Sequence, residues 1–362
     1  MSEWILHSLD LLNFKSYNQS LFTFSPRINC IVGKNGAGKT NILDAIYYLS
    51  TGKSYFLSTD AQTIHHDKQM MSIEGIYIHD KEEERIHVGL EKGQRKKIRR
   101  NGEVYKRMAD HVGLIPVVII SPYDRDLIVE GSEARRKFLD ATISQIDTAY
   151  LDHLIQYHKA LKQRNTMLRN GMGSDASLRD IYDEQLVYHG GIIFQKRKAF
   201  CAQFSPEVAS HYNAISDGAE QVTFSYKTKV NADDYAELLK EALSKDLVME
   251  HTTFGVHKDD LVFNMNRRLI KRFGSQGQQK TYLIALKLAQ YNYLYEYKGF
   301  RPILLLDDIF DKLDAERVHR IIERVNQGVF GQIFITDTHP ERATAIAEEE
   351  GVEANIIHIE SK

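Results

Sequence analysis

Three short stretches hold residues whose types and spacing fit one chemistry, the handling of a nucleoside triphosphate. In "IVGKNGAGKTN" (31–41), Gly33, Gly38, Lys39 and Thr40 satisfy G-x-x-x-x-G-K-[ST]. Glycines there let backbone N–H groups face phosphate oxygens. Lys39 would neutralise the β- and γ-phosphates, and the Thr40 hydroxyl would ligate Mg²⁺. A chance Gly-rich turn is a poor alternative, because the apolar run "INCIV" precedes the loop and a helical pattern (Ile42, Ala45, Ile46, Leu49) follows it.

The second stretch, "PILLLDDIFDKLD" (302–314), ends an apolar strand on Asp307 and Asp308. In a P-loop fold the first acid holds the Mg²⁺ shell and the second can orient or deprotonate water, although strand-end Asp pairs also cap turns. Asp308 is one methylene shorter than Glu, from which slow hydrolysis is expected. The third stretch, "RFGSQGQQKTYLIALKLAQYNYLYEY" (272–297), sets Gly274, Ser275, Gln276, Gly277 and Gln278 before a long apolar helix. A capped helix N-terminus of this kind is also an anion site. One chain needs no second γ-phosphate clamp unless that clamp serves the nucleotide of a neighbouring molecule.

The elements that must position these residues are legible as short apolar runs at both ends of the chain: 28–32, 116–120, 302–306, 332–336 and 355–359. Residues 60–108 alternate as antiparallel strands do, with a hairpin turn at Asn101-Gly102. Residues 131–215 repeat at helical spacing, interrupted by the Gly/Ser-rich 170–177. The expected fold is therefore α/β: a discontinuous ATPase lobe (1–130 and 251–362, with the antiparallel subsheet at 60–110) and a mainly helical lobe (131–250). The segment 274–290 is expected at their junction. No heptad pattern supports a long coiled-coil arm.

The composition fits this reading. A net charge of −2 over 362 residues excludes binding nucleic acid by general basicity, so any basic surface is local. The hairpin "KGQRKKIRRNGEVYKR" (92–107) concentrates eight basic residues against Glu103, and "NRRLIKR" (266–272) is a second cluster. The first is either a phosphate-contacting surface or a solvated hairpin, the second lies just before the third stretch and could link DNA contact to ATP, and no base-reading motif accompanies them. Two cysteines, Cys30 and Cys201, make no disulfide framework, and no apolar run is long enough to cross a membrane; a cytoplasmic, nucleoid-associated protein is expected.

Taken in order, "GKNGAGKTN", "GSQGQQK" and "ILLLDDIFDKLD" resemble the ABC-type ATPase head of SMC-like repair proteins, "GSQGQ" being a variant of the LSGGQ signature. Adding "NFKSY" (13–17), "ISPYDRDLIVEGSEARRKFLD" (120–140), "ALKQRN" (160–165) and "GVHKDDL" (255–261), the chain is similar to the RecF family of bacterial recombination-mediator ATPases over residues 13–314.

That resemblance implies a weak ATPase, used as a switch, that binds DNA in replication and repair. Two chains would dimerise on ATP and clamp single-stranded, gapped or duplex DNA. With RecR and RecO they would assist recombinase loading and SOS induction. It implies that Gly33, Lys34, Asn35, Gly36, Ala37, Gly38, Lys39, Thr40 and Asn41 contact ATP, and that Thr40 and Asp307 organise Mg²⁺. Asp308 would act on water, and Ser275, Gly277 and Gln278 would meet the partner's γ-phosphate. Asp314 fits the loop that crosses the dimer interface.

Departures are visible. The usual Mg²⁺-touching Gln is missing, with Ser121 and Asp124 in its region, and the expected switch His is delayed to His339. Val256 and Lys258 replace the family's Pro and Arg. "GVHKDDL", with His257, Asp259 and Asp260, reads as an exposed turn or interface loop rather than a metal site. A transporter ATP-binding subunit is the rival enzyme and would be shorter between P-loop and signature; a DNA scaffold with a vestigial site is the non-enzyme alternative.

Overall fold

The computed structural model describes residues 3–174, 176–216, 220–308, 330–339 and 354–360. The chain forms two compact units, Met1–Asp124 with Lys287–Lys362, and Arg125–Leu286.

In the first unit, β1 (Ile5–Phe14) and β2 (Tyr17–Thr23) make a hairpin. The chain then forms β3 (Ile28–Val32), buried at every position, and α1 (Lys39–Thr51). Next come β4 (Met70–His79), β5 (Glu82–Glu91), β6 (Lys97–Arg100), β7 (Glu103–Val104) and β8 (Val117–Ile120). Six of these strands join in the antiparallel order β2-β1-β4-β5-β6-β7. Its inner face follows the strand period of two: Met71, Ile73 and Tyr77 of β4, then Ile86, Val88 and Leu90 of β5, are buried. The β6–β7 turn is the expected Asn101-Gly102, both at positive φ (51° and 87°), the backbone that a two-residue hairpin loop demands.

The second unit opens with α2 (Arg125–Val129), α3 (Ser132–Ile146), α4 (Thr148–Arg169) and α5 (Ala176–Ser216). Helices α4 and α5 are antiparallel, since His153 meets His189 and Arg164 meets Asp183. A small sheet follows, β9 (Val222–Lys227), β10 (Asp260–Met265) and β11 (Arg268–Leu269), in the order β11-β10-β9. The short helices α6 (Tyr235–Glu241), α7 (Leu243–Met249) and α8 (Ile270–Phe273) also belong here. Helix α9 (Gln276–Lys298) begins in this unit, and its residues from Lys287 onward belong to the first.

The first unit is completed by β12 (Ile303–Leu306), β13 (Ile333–Asp337) and β14 (Asn355–His358), which join β3 and β8 in a parallel sheet of order β14-β3-β13-β12-β8. All five apolar runs read from the sequence lie in this one sheet. One hydrophobic core contains residues of both sheets and of α1. Ile42, Leu43, Ala45, Ile46, Tyr48 and Leu49 are all buried, so α1, which the sequence presents as amphipathic, is covered on nearly every side. Buried Gln332 ties the sheets together: its amide accepts from Leu6 N (2.7 Å) and donates to Leu6 O and Ser25 O (2.8 Å each). Leu6 lies beside a register shift in the β1–β4 ladder.

Candidate nucleotide-binding site

The loop between β3 and α1 is shaped by what glycine alone permits. Gly36 and Gly38 have φ of 81° and 107°, values that L side chains rarely adopt. A side chain at Gly33 would strike Ile359 O, and one at Gly38 would meet Tyr17 Oη at 2.9 Å and Ser16 Oγ at 3.1 Å. Loop N–H groups and the start of α1 thus lie together, where an anion is favoured. Buried Lys39 turns its ammonium onto the loop's own carbonyls, Gly33 O at 2.9 Å and Lys34 O at 3.2 Å.

Asp307 lies at the C-terminal end of β12, among strands that present their ends on one edge. Its Oδ1 accepts from Thr40 Oγ1 and Thr336 Oγ1, both at 2.9 Å, and Ser121 Oγ is 3.4 Å from its Oδ2. Burial pushes the Asp307 carboxyl above its usual range; the Thr40 and Thr336 hydrogen bonds oppose this, and the neighbouring Asp308 adds to it. A cluster of hydroxyl and carboxylate oxygens suits a hard cation such as Mg²⁺. Asp308 stands in the left-handed region (φ 44°), where its N–H donates to Thr336 Oγ1 at 2.9 Å. Thr40, Asp307 and Asp308 are therefore gathered beside the loop.

Other predicted residues stand apart. Asp124 is buried and turned from solvent, its Oδ2 taken by Ser121 N (2.7 Å) and its Oδ1 by Lys287 Nζ (2.8 Å) and the Tyr55 hydroxyl. His339 is exposed, its N–H donating to Asp337 Oδ1 at 2.8 Å. Asp314 falls outside the described residues.

Ser275, Gly277 and Gln278 lie at the start of α9, in the second unit. Ser275 Oγ accepts from Gln278 N at 3.2 Å, and Gln278 Oε1 accepts from Ser275 N at 2.8 Å, a reciprocal capping box. Gln278 Nε2 also donates to Glu220 at 2.6 Å, while Ser275 is exposed.

"GVHKDDL" is not the exposed turn that its polarity suggests. His257 Nδ1 lies 2.7 Å from Tyr157 Oη and its Nε2 lies 3.0 Å from Thr252 O; burial lowers its pKa to about 4. Buried Asp259 meets Arg197 at 3.1 Å and also accepts from Tyr226 and Thr228, and Asp260 pairs with Arg135 at 2.7 Å. Only Lys258 of His257–Asp260 is exposed. The motif is a keystone of the second unit, closed by Arg197 and Arg135 from distant helices.

The basic hairpin is divided. Lys96 pairs with Asp60 (2.7 Å) and lies over the Tyr48 ring, Arg100 holds Glu84 through two nitrogens (2.6 and 2.9 Å), and Arg107 pairs with Asp110. Lys92, Arg95, Lys97, Arg99 and Lys106 have no ion-pair partner among the described residues. In "NRRLIKR", Asn266 and Arg267 form the positive-φ turn between β10 and β11.

Sequence reasoning missed the residues that brace the loop. In the tight β1–β2 turn, Ser16 Oγ accepts from Asn41 Nδ2 (2.9 Å), Tyr17 Oη donates to Gly38 O (3.3 Å), and Lys15 pairs with fully buried Asp44 of α1 at 2.6 Å. In the sequence, "NFKSY" carries only the family resemblance. The available signal was polar residues in a turn between strands just ahead of the loop.

Comparison with known proteins shows the family of the chain. The family model described as the RecF/RecN/SMC N terminal domain matches residues 5–355. The chain is 49% identical over 346 residues to the DNA replication and repair protein RecF of Flavobacterium johnsoniae, covering 95% of this chain and 96% of that one. It is 44% identical to the protein of the same name from Phocaeicola vulgatus, covering 98% and 96%. Among solved structures, that of the recombination mediator protein RecF with ATP, of the RecFOR pathway, superposes with a TM-score of 0.84 at 31% identity, covering 94% of each chain. The Smc head domain of Pyrococcus furiosus shares the fold, with a TM-score of 0.54 at 17% identity. With the P-loop, the paired acids and the signature segment on a mixed α/β scaffold, the chain belongs to the RecF family of DNA replication and repair proteins, within the wider group of RecF, RecN and SMC heads.

Proposed function

We propose that this chain is a weak ATPase that binds DNA in replication and recombinational repair, dimerising on ATP and releasing DNA when ATP is hydrolysed. The observation that carries the reading is the meeting of Thr40 and Asp307 at 2.9 Å beside a glycine loop held open for phosphates. The unit built on the parallel sheet is the nucleotide-binding lobe, and the unit Arg125–Leu286 carries the signature.

In this reading the N–H groups from Gly33 to Asn41 bind the triphosphate, and Lys39 exchanges Gly33 O and Lys34 O for phosphate oxygens. Thr40 and Asp307 hold Mg²⁺, which when bound neutralises charge on the β- and γ-phosphates. Asp308 orients the attacking water and accepts its proton. Ser275 and Gly277 of one copy meet the γ-phosphate bound by the other, so ATP joins two chains; Gln278 supports Ser275. The shorter Asp308 side chain makes turnover slow.

DNA contact is assigned to the unpaired cations Lys92, Arg95, Lys97, Arg99 and Lys106, through phosphates rather than base edges. RecO and RecR are the expected partners in loading recombinase and inducing SOS, given the pathway of the ATP-bound relative. A cytoplasmic, nucleoid-associated location follows from that role, and among the described residues no helix is long and apolar enough to cross a membrane.

The test is binding to gapped, single-stranded and duplex DNA with ATP, ADP or no nucleotide, alongside DNA-stimulated phosphate release and sedimentation. Wild type should dimerise and bind DNA with ATP, and Lys39→Met should lose both. Equal DNA affinity in all nucleotide states would sink the switch. Phosphate release unchanged in Asp308→Asn would remove the base assignment.

A further inference from the structure

Among the described residues of the first unit, one buried cation stands outside the nucleotide site. Lys287 is 3% exposed on α9, in a stretch of that helix otherwise filled by Ala285, Leu286, Leu288 and Ala289. Its ammonium sits 2.8 Å from Asp124 Oδ1 and 3.1 Å from Tyr55 Oη, and 5.3 Å from the centre of the Tyr55 ring. Desolvating such a pair is expensive, and an apolar side chain of similar volume would fill the space at least as favourably. Packing alone does not call for a lysine here.

The partners of the pair lead to the nucleotide site along two paths. Asp124 Oδ2 accepts from Ser121 N at 2.7 Å, and the Ser121 hydroxyl reaches Asp307 Oδ2 at 3.4 Å. Tyr55 donates its hydroxyl to Asp124 and its N–H to Asp44 of α1 at 2.7 Å, where Lys15 and Ser54 also bind. One path ends at the acid that faces Thr40, the other at the helix that begins with Lys39.

We propose that Lys287 is a positioning residue: through Asp124 and Ser121 it sets the place of Asp307, so that the position of α9 is read at the cation site. This rests on the nucleotide role proposed above.

The experiment is steady-state ATP hydrolysis with DNA, titrated in Mg²⁺, together with equilibrium binding of a fluorescent ATP analogue. The proteins are wild type, Lys287→Met, Lys287→Arg and the double variant Lys287→Met/Asp124→Leu, which removes both buried charges and keeps the fold accessible. The expected result is a fall in kcat of at least about tenfold in Lys287→Met and in the folded double variant, with KM for ATP changed less than about threefold. The half-saturating Mg²⁺ concentration should rise, and Lys287→Arg should recover much of the kcat. A double variant that regains wild-type kcat and Mg²⁺ dependence along with its fold would overturn the proposal and leave Lys287 a core ion pair. Absence of Mg²⁺-dependent hydrolysis in wild type would overturn the proposed function itself, and this inference with it.

Discussion

Replacing Gln332 by Leu should separate the two sheets of the first unit energetically without touching the nucleotide site. The side chain makes three hydrogen bonds, to Leu6 N, Leu6 O and Ser25 O, at 2.7–2.8 Å and 2% exposure. Ser25 O keeps a second donor, Asn29 Nδ2 at 2.9 Å, so its loss is small. Leu6 N and Leu6 O are left without their partner in a dry core, at about 1–3 kcal/mol each. The added leucine returns about 1–2 kcal/mol by burial, which leaves a net loss near 3 kcal/mol. That is a large part of a typical domain's stability of about 5–15 kcal/mol. The single tryptophan, Trp4, lies in this core two positions from Leu6 and reports on the first unit. Urea unfolding followed by its fluorescence should show the loss, and Gln332→Glu should be weaker still near neutral pH, where an anion would face Leu6 O and Ser25 O. A Gln332→Leu protein within about 1 kcal/mol of wild type would refute the assignment of these bonds as the tie between the sheets.

Three other outcomes follow from the geometry. Gly33→Ala drives a methyl group into Ile359 O and should weaken ATP binding at least tenfold and destabilise by about 1–3 kcal/mol, read by nucleotide titration and urea unfolding. His257 is held neutral by burial, its pKa lowered from 6.5 to about 4, so below pH 6.5 the unfolded chain takes up a proton that the folded chain refuses. Stability of the second unit should therefore fall between pH 6.5 and 4, by up to about 3 kcal/mol, and the slope should be shallower in His257→Gln; circular dichroism during urea unfolding at several pH values checks this. Lys97→Glu/Arg99→Glu should reduce ATP-dependent DNA affinity and lower the salt slope by about 2, whereas Arg100→Gln should lower stability through Glu84 and leave that slope in place, as measured by DNA binding across a salt series.

What could be read from the sequence were features whose signal is local. Each parallel strand is a continuous apolar run, and the loop between Gly33 and Lys39 needs glycines for backbone reasons that any sequence displays. The reading faltered where burial is produced by a partner far along the chain. "GVHKDDL" is polar and looks like a turn, yet Arg197 and Arg135 come from α5 and α3 to neutralise its acids. Helix α1 shows an apolar stripe, but the second sheet that covers its other side is assembled from segments on either side of it. Lys287 carries no local signal in its apolar helix, because its partners Asp124 and Tyr55 lie far along the chain. For the hairpin 92–107, counting charges overstated the surface, because Lys96, Arg100 and Arg107 have local acidic partners.

The strand order β14-β3-β13-β12-β8 has a consequence for the making of the protein. β3 leads into the P-loop, yet both of its neighbours, β13 and β14, lie about 300 residues further along the chain. At ribosomal rates of about 5–20 residues per second, β3 waits roughly 15–60 s for its first partner strand. Through that interval an apolar strand has two open edges, the condition in which chains pair wrongly with one another. The nascent protein therefore has no finished phosphate loop until its distal strands emerge, so nucleotide capture is delayed until the second unit has been synthesised. Temperature-sensitive or chaperone-dependent defects should concentrate in β12–β14, as failures of maturation rather than of chemistry.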